Sequence, residues 1–361
     1  DLLAPVSQRQ ELKKEANHYP SWQLSDRQIC DLELLLNGGF SPLDGFLNKA
    51  DYNSVVANMR LENGALWPIP ITLDVTDEFA ESIKDEPKIT LRDKEGFALA
   101  VLTVGDIWNP DLDHEAQSVY GTADTTHPAV NYLKNIGHKT YVGGKLEGIS
   151  LPHHYDYQGD RHTPAELRSL FNEKNWTKVV AFQTRNPLHR AHVEMTMQAA
   201  QNLDAKLLIH PVVGLTKPGD VDHYTRVRCY QHVLKKYPEN SAMMSLLPLA
   251  MRMGGPREAL WHALIRKNYG CTHLVVGRDH AGPGNDKDGN PFYGPYDAQE
   301  LLIKHTDEIG IEMVPFKFMV YIPAEDRYEA IDAIEKGVEF KTISGTELRQ
   351  LLDEGQGIPE W

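Results

Sequence analysis

The sequence is poor in cysteine and lacks long apolar runs. Its 361 residues include three cysteines, which lie far apart at Cys30, Cys229 and Cys271 without C-x-x-C spacing. An odd number of scattered cysteines argues against both a disulfide framework and a zinc ribbon. No stretch approaches the roughly 18 consecutive apolar residues of a membrane-spanning helix, and no basic-then-apolar signal opens the chain. We therefore expect a cytoplasmic protein with no membrane partner.

Positive charge is also scarce. Lys and Arg number 37 against 51 Asp and Glu, which gives a formal net charge of −14 at pH 7. Nucleic-acid binding is driven by clustered Lys and Arg, so this balance argues against a nucleic-acid partner. It still permits a small anionic substrate, because a few basic side chains in a cleft reverse the local potential. With 41% hydrophobic residues, the chain has material for the cores of two or three domains.

The first part of the chain has the pattern of a β-rich domain. A short helix is expected where Ser25 and Gln28 have capping-box spacing and Gly38 gives a stop signal. Short runs rich in β-branched residues then follow at 69–75, 88–91 and 97–104. The neighbouring His153 and His154 are interpreted as structural, since no further residues are spaced as metal ligands.

The second part has the pattern of a parallel sheet. A boundary is expected near 159–162, where Thr163 and Glu166 form a capping box that opens a new helix. Strand-like runs then occur at 178–182, 206–210, 243–247, 273–276 and 312–314. Helical patterns alternate with them, centred near Thr196, Cys229, Trp261 and Leu301. Such sheets bind ligands beyond the carboxyl ends of their strands, so the site residues are expected there.

The most informative motif follows the first of these strands, at residues 183–192. Asn186 as N-cap and Pro187 at the first helical position predict that a helix begins here. His189 and His192 then lie on the first two turns, where unpaired backbone N–H groups and the helix dipole favour an anion. The pair indicates a phosphate site, and a solvated helix face is the alternative interpretation.

The extended loop before this helix directs Gln183 and Arg185 to one side and Thr184 and Asn186 to the other. An amide and a guanidinium fork on one side form an anion pocket beside the phosphate site. Zinc ligation fits the pattern less well, because metalloprotease helices use H-E-x-x-H with ligands four residues apart. The two histidines are three apart and no glutamate lies between them.

A second motif follows the fourth strand, at residues 277–284. Gly277 permits a close approach of the backbone to a ligand, and Arg278 supplies a fork for phosphate or sulfate. The backbone around Ala281 presents N–H donors. Further positive charge at this edge is expected from three basic residues, Lys217, Arg226 and Arg252. For Lys217, a plain surface position is the alternative.

Together these motifs resemble those of the ATP sulfurylases (sulfate adenylyltransferases). Residues 183–192 are similar to the family signature Q-x-R-N-P-x-H-x-A-H, and residues 276–282 are similar to V-G-R-D-H-A-G. Residues 210–220 resemble H-P-x-x-G-x-T-K-x-x-D. Shorter similarities lie at 39–46, 314–316 and 343–349. In the last segment, Ser344 and Thr346 are interpreted equally as a helix cap and as part of a lid.

The resemblance implies an α/β protein with three parts. These are an N-terminal β-rich, PUA-like barrel domain at 1–160, a central Rossmann-like parallel-sheet nucleotidyltransferase domain at 161–322, and a small C-terminal α/β lid subdomain at 323–361. It also implies a homodimer or a larger homo-oligomer. Longer relatives continue into a kinase or kinase-like domain, and no fused kinase activity is expected of this chain.

The same resemblance implies the roles of individual residues. Sulfate is held by Gln183, Arg185 and Ala281. The ATP-binding residues are Gln183, Thr184, Arg185, Asn186, Gly277, Arg278, Asp279, His280 and Met319. The catalytic residues are Thr184, Arg185, Asn186, His189 and His192. Phe316 has a conformational role at the border of the nucleotide, and Met319 stands where relatives carry valine.

The implied reaction converts ATP and sulfate reversibly into adenylylsulfate and pyrophosphate by direct in-line attack of sulfate on the α-phosphorus. Sulfate is already ionised, so catalysis depends on positioning and charge stabilisation rather than on a general base. Mg²⁺ is expected with ATP, and no protein-bound metal is expected because no carboxylate cluster marks a site. One alternative is an adenylyltransferase with a different acceptor, and another is a binding module without turnover. The physiological direction stays open.

Overall fold

The computed structural model describes residues 1–217, 219–316, 318–343, 347, 350–351 and 354–361. Two predicted helix starts are confirmed, because Ser25 with Gln28 and Thr163 with Glu166 each form a capping box. The helices of the described residues are α1 (Val6–Glu15), α2 (Asp26–Leu36), α3 (Lys49–Asn58), α4 (Asp77–Ser82), α5 (Leu112–Tyr120), α6 (Pro128–Asn131), α7 (Pro164–Glu173), α8 (Arg190–Asn202), α9 (His223–Leu234), α10 (Gly255–Asn268) and α11 (Asp297–Ile309). Short 3₁₀ turns lie at Gln158–Asp160 and Ile331–Ala333, and a π-helical turn lies at Tyr132–Ile136.

The first sheet is mixed and lies in the N-terminal half. Its strands are β1 (Ser21–Gln23), β2 (Gly45–Phe46), β3 (Leu73–Val75), β4 (Lys88–Arg92), β5 (Ala98–Trp108) and β6 (Thr140–Gly148). Their order is β1-β4-β5-β6-β2, and β3 also pairs with β6. β1 and β4 are parallel, whereas the other pairs are antiparallel. The predicted β-rich region is therefore confirmed.

The second sheet is parallel throughout, as predicted. Its strands are β7 (Val179–Phe182), β8 (Lys206–Ile209), β9 (Ala242–Met244), β10 (His273–Val276) and β11 (Glu312–Pro315), in the order β11-β10-β7-β8-β9. The chain moves from β7 to β8 and β9 on one side and then returns to place β10 on the other side of β7. The strand order therefore reverses between β7 and β10, which is where such sheets bind ligands. A separate antiparallel pair consists of β12 (Met319–Ile322) and β13 (Arg327–Ala330).

The start of α8 differs from the sequence prediction. Asn186 is not the N-cap and Pro187 is not helical, since α8 begins at Arg190 with His189 as its N-cap. The reason lies in a turn that holds Asn186: its N–H donates to Thr184 Oγ1 at 3.1 Å, and its carbonyl accepts the Tyr230 hydroxyl at 2.8 Å. A carbonyl used in this way cannot accept the first helical hydrogen bond.

Two strands of the first sheet also differ from what the sequence predicts. The run 69–75 contributes only β3, because Pro70 interrupts the run and has no N–H for a ladder. β6 was not predicted, because Gly143 and Gly144 weaken its pattern. A Cβ at Gly144 would lie 2.0 Å from the Thr103 carbonyl oxygen, so neighbouring backbone requires glycine there.

The two halves of the chain share a buried core. The ring of Phe40 lies 5.7 Å from Trp67 and 5.1 Å from Trp261, so it joins the N-terminal half to α10. Nearby, Arg252 Nη2 lies 2.5 Å from Asp31 Oδ2, and both side chains are almost fully buried. Removing either partner would leave an uncompensated charge in the core, so this pair fixes the segment before α10 against α2.

Candidate active site

The residues of the predicted anion pocket follow the end of β7. Thr184 is buried and organises the turn around Asn186 through its hydroxyl, which also donates to the Asn186 carbonyl at 3.0 Å. The side-chain carbonyl oxygen of Gln183 is buried and has no hydrogen-bond partner among the described residues. An orphaned buried acceptor of this kind is costly unless another group binds to it or moves it. The structure therefore leaves one polar group of this turn available to a ligand.

His189 and His192 lie together at the start of α8. Their ring centroids are 4.0 Å apart, and the His189 N–H donates to His192 Nδ1 at 3.5 Å. That bond assigns the proton of His192 to Nε2. Burial lowers the pKa of both rings, and burial together with His189 lowers the pKa of His192 to about 3. Both imidazoles are therefore neutral near pH 7 and act as hydrogen-bond donors rather than as cations.

The backbone at the start of α8 adds further donors. The N–H groups of Arg190 and Ala191 have no hydrogen-bond partner in the described part of the chain. These are the unpaired amides that every α-helix leaves at its N-terminus, and they lie beside the two imidazoles. The later start of α8 therefore moves the anion-binding amides to the residues that follow His189.

The loop after β10 is held in a strained conformation. Asp279 and Ala281 have φ values of 51° and 54°, which non-glycine residues seldom adopt. The Asp279 carboxylate folds over Gly282, where an added Cβ would lie 1.9 Å from Asp279 Oδ1. The Ala281 carbonyl accepts the Gly255 N–H at 3.1 Å, whereas the Ala281 N–H has no partner among the residues described. The Ala281 N–H is therefore free to donate to a ligand, and its role towards sulfate stays a prediction.

Phe316 brings the two motifs together. Its ring centroid lies 6.1 Å from that of His192, and its Cβ would lie 3.9 Å from a Cβ built on Gly277. The Phe316 N–H also donates to the Val276 carbonyl at 3.0 Å, which fixes the residue against the end of β10. His192 of the predicted phosphate motif and Gly277 of the predicted nucleotide loop therefore both lie next to Phe316.

The loop after β8 lies at the same end of the parallel sheet. Arg185 forms an ion pair with Asp220, and the Asp220 carboxylate also accepts the Lys217 N–H at 3.2 Å. Lys217 Nζ donates to the Pro283 carbonyl at 2.7 Å and so connects this loop to the loop after β10. Burial raises the pKa of Asp279, while Arg278, Arg185 and Lys217 oppose that rise. Three basic side chains thus act on one carboxylate, as expected of a shared anion site.

Some predicted residues lie elsewhere. Met319 is buried in the hydrophobic cluster that also contains Leu188, rather than at an open surface. The buried Arg252 guanidinium pairs with Asp31. The Arg226 guanidinium donates to the Val212 and Val221 carbonyls. Neither side chain is therefore available to bind an anion in the site. Ser344 and Thr346 lie outside the described residues, and their predicted cap or lid role stays a prediction.

Sequence reasoning missed two residues that support the site. Glu258 and His262 are fully buried on α10, and His262 contacts His280 of the loop after β10. The signal in the sequence was the i, i+4 spacing of a glutamate and a histidine on a helix that is otherwise apolar around them. That spacing is common on helix surfaces, so it did not distinguish a buried pair.

Comparison with known proteins identifies the family. Residues 158–361 match the ATP-sulfurylase family model, and residues 1–151 match the model of a PUA-like domain. The chain belongs to the ATP-sulfurylase family. The predicted family and fold class are thereby confirmed. No helix among the described residues is long and apolar enough to cross a membrane.

Several characterised members of the ATP-sulfurylase family are similar over the whole chain. The sulfate adenylyltransferase of Phaeosphaeria nodorum is 57% identical over 100% of this chain and 64% of its own length. Those of Kluyveromyces lactis and Saccharomyces cerevisiae are 57% and 56% identical and are covered over 72% and 71% of their lengths. The chain thus spans 64 to 72% of these relatives.

A solved structure has the same fold. The protein described as a hexameric APS kinase from Thiobacillus denitrificans superposes with a TM-score of 0.80 at 30% identity. The similarity covers 100% of this chain and 64% of that one.

Proposed function

We propose that this chain is a sulfate adenylyltransferase. A sulfate oxygen attacks the α-phosphorus of ATP in line, a new P–O bond forms, and the bond to the β-phosphate oxygen breaks to release pyrophosphate. The reverse reaction uses adenylylsulfate and pyrophosphate in the same site. The observation that carries this proposal is the position of Phe316, whose contacts join the His192 motif to the loop that begins at Gly277.

The acceptor side of the site fits a tetrahedral dianion. Arg185 supplies a guanidinium fork, Gln183 supplies the N–H donors of its side-chain amide, and Ala281 supplies a backbone N–H that is unpaired among the described residues. Sulfate is a fully ionised nucleophile, so the site needs no base to activate it. What these groups contribute is orientation of one sulfate oxygen towards the phosphorus.

The donor side fits a triphosphate. The N–H groups of Arg190 and Ala191 and the neutral ring of His192 provide donors near the start of α8. Charge on the phosphate oxygens grows as the P–O bond to pyrophosphate breaks, and fixed donors stabilise that charge without reorganisation. Asn186 and Thr184 hold the turn that positions these donors, so we assign them to the same machinery together with His189.

The nucleotide is proposed to contact residues 277–280, whose backbone is fixed by the positive φ of Asp279. Phe316 stands between this loop and His192, so rotation of its ring would couple nucleotide binding to the histidines. Met319 is buried and would act through its packing in the core rather than by direct contact with ATP. ATP is expected to enter as its magnesium complex, as part of the substrate.

Variants of the anion pocket separate this proposal from an adenylyltransferase with another acceptor. Gln183→Glu keeps the size of the side chain and adds a negative charge, which repels a dianion. We expect KM for sulfate to rise by at least about tenfold, a change of roughly 1.4 kcal/mol, and KM for ATP to rise by less, because Gln183 is also expected to face the ATP phosphates. Gln117→Glu, in α5, is the matched control and should leave both constants unchanged.

The assay is pyrophosphate release with sulfate, molybdate or organic acceptors such as a phosphopantetheine or a mononucleotide. Turnover with sulfate and molybdate but not with the organic acceptors supports the proposal. Turnover with an organic acceptor and not with sulfate would replace it by the second adenylyltransferase. Absence of turnover with every acceptor in the wild type would instead indicate a binding module. Where turnover is found, its loss in His192→Ala would assign that activity to this site.

We also propose a cytoplasmic homo-oligomer, a dimer or larger. Family membership supports self-association, and the solved relative named as hexameric is one example. Sedimentation at several protein concentrations tests this part independently of activity. The division at residues 160 and 322 into barrel, catalytic domain and lid is likewise proposed, and limited proteolysis would test the two boundaries.

A further inference from the structure

Two buried side chains, Glu258 and His262, and the half-buried His280 form a hydrogen-bonded row that ends at the nucleotide loop. Glu258 Oε1 lies 3.1 Å from His262 Nε2, and His262 Nδ1 lies 3.0 Å from His280 Nε2. Glu258 and His262 are completely inaccessible to solvent, and they lie one turn apart on α10. His280 belongs to the loop after β10. The row therefore connects a rigid helix to a residue of the candidate ATP site.

The direction of the hydrogen bonds follows from the partners of Glu258. Its carboxylate accepts the Arg252 N–H at 3.1 Å and the Gly254 N–H at 2.7 Å, one on each oxygen. Burial raises the pKa of Glu258, and the two amides and the charge of Arg252 offset that rise only in part. Because both carboxylate oxygens already accept backbone N–H groups, Glu258 accepts from His262 as well, so His262 carries its proton on Nε2 and its Nδ1 is an acceptor.

The tautomer of His280 follows from its hydrogen bond to His262. Because His262 Nδ1 accepts, the proton of His280 lies on Nε2, and its Nδ1 is left as an unprotonated acceptor. Burial lowers the pKa of His280 to about 3, and His262 is likewise lowered well below its ordinary pKa, so neither ring is a cation near pH 7. A hydrogen-bonded neighbour that sets which nitrogen is protonated is a known way of controlling histidine chemistry.

We propose that Glu258 and His262 are positioning residues that hold His280 in one orientation, with Nδ1 as an acceptor for an N–H or O–H donor of the nucleotide. This inference rests on the proposed ATP-binding role of the loop after β10. A second contact supports it, because the first residue of α10, Gly255, donates its N–H to Ala281 of the same loop at 3.1 Å. Helix α10 thus holds two successive residues of the loop.

A pair of amide variants tests the proposal. His262→Asn places an acceptor where Nδ1 was and keeps the bond to His280. His262→Gln reaches towards Glu258 and loses the bond to His280. We expect KM for ATP to be about five- to tenfold higher in His262→Gln than in His262→Asn, the effect of about one hydrogen bond. KM for sulfate should be the same in both variants.

Combination with His280→Ala separates a positioning role from general damage. In that background the difference between His262→Gln and His262→Asn should disappear, because there is no imidazole left to orient. A difference that persists, or one that appears equally in KM for sulfate, would overturn the proposal. Ile265→Val, a core change on the same helix, controls for loss of packing and should not alter KM for ATP.

Nitrogen-15 spectra of the histidine rings in the nucleotide-free protein test the hydrogen-bond direction without any assay. The expected result is a protonated Nε2 and an unprotonated Nδ1 for both His262 and His280. The reverse tautomers would overturn the inference even if the protein proves to be a sulfate adenylyltransferase. The expected tautomers together with no binding of ATP would instead contradict the proposed function. Repeating the KM measurements with 2′-deoxy-ATP, 3′-deoxy-ATP and GTP identifies which donor group of the nucleotide hydrogen-bonds to His280 Nδ1.

Discussion

Arg185 and Asp220 form an ion pair that joins the end of β7 to the loop after β8. Their side chains are 23% and 11% exposed, so the pair is only partly screened by water. Arg185 is also the residue proposed to hold sulfate. A dianionic acceptor must therefore share this guanidinium with Asp220 or displace the carboxylate from it.

Asp220→Asn should tighten the binding of sulfate. The variant removes a negative charge from the anion pocket while keeping the shape of the side chain, so sulfate no longer competes with a carboxylate. We expect KM for sulfate to fall by about three- to tenfold, in line with a partly exposed pair of about 1 kcal/mol. The measurement is initial-rate kinetics at saturating ATP. A rise in KM would mean that Asp220 mainly orients Arg185.

Arg185→Lys should weaken sulfate selectively. Lysine keeps the charge but loses the planar fork that binds two oxygens at once. We expect kcat/KM for sulfate to fall by about 10- to 100-fold, with KM for ATP changed by less than about threefold. Arg168→Lys is the matched control, because Arg168 bonds the Asn268 carbonyl outside the site. An equal effect of the two changes would argue against a special role for Arg185.

Gly277→Ala and Gly282→Ala should affect the enzyme in different ways. Gly277 lacks a positive φ, and among the described residues an added Cβ would meet only Phe316, at 3.9 Å. Gly277→Ala should therefore leave the thermal midpoint of unfolding within about 2 °C while raising KM for ATP, if the ligand approaches this backbone. At Gly282 the added Cβ would collide with Asp279, so that variant should also lower the midpoint. Unchanged ATP binding in Gly277→Ala would contradict the proposed nucleotide contact.

Stability should depend on pH through buried neutral histidines. Burial lowers the pKa of His127 from 6.5 to about 4, so the unfolded chain binds this proton at a higher pH than the folded chain does. The stabilisation is fully present above pH 6.5 and is lost as the pH falls towards 4. Over that window one such histidine contributes a slope of about 1.4 kcal/mol per pH unit.

Urea unfolding of wild type and His127→Phe between pH 4.5 and 7.5 measures this slope. The variant loses the contacts of His127 with Tyr293 and Ala129 and should be less stable at pH 7, but its decline below pH 6.5 should be shallower. His18→Phe, at an exposed position, should keep the slope of the wild type. Parallel curves for wild type and His127→Phe would show that His127 is not held neutral.

Much of the fold was accessible to sequence reasoning because its signals are local. Capping boxes at Ser25 and Thr163 and the alternation of strand and helix after residue 178 were read correctly. The start of α8 was misplaced, since Tyr230 of a distant helix takes the carbonyl that a cap at Asn186 would have needed. β6 was missed because it contains glycines, which are unusual in strands. Gly144 is required by the backbone of Thr103 on β5, a contact that the local sequence does not show.

The residue types of the candidate site were determined by the sequence alone, together with their order after strands of a parallel sheet. Periodicity and local capping signals placed the motifs after the strands, and the resemblance to the ATP sulfurylases supplied the roles of the individual residues. Tertiary structure decided which strands are adjacent: β10 lies beside β7, so His192 and Gly277, which are 85 positions apart in the sequence, both lie next to Phe316. It also decided that Arg252 is buried against Asp31 and that Glu258 and His262 support His280. Pairing and burial depend on the packing of distant segments, and no local pattern carries that information.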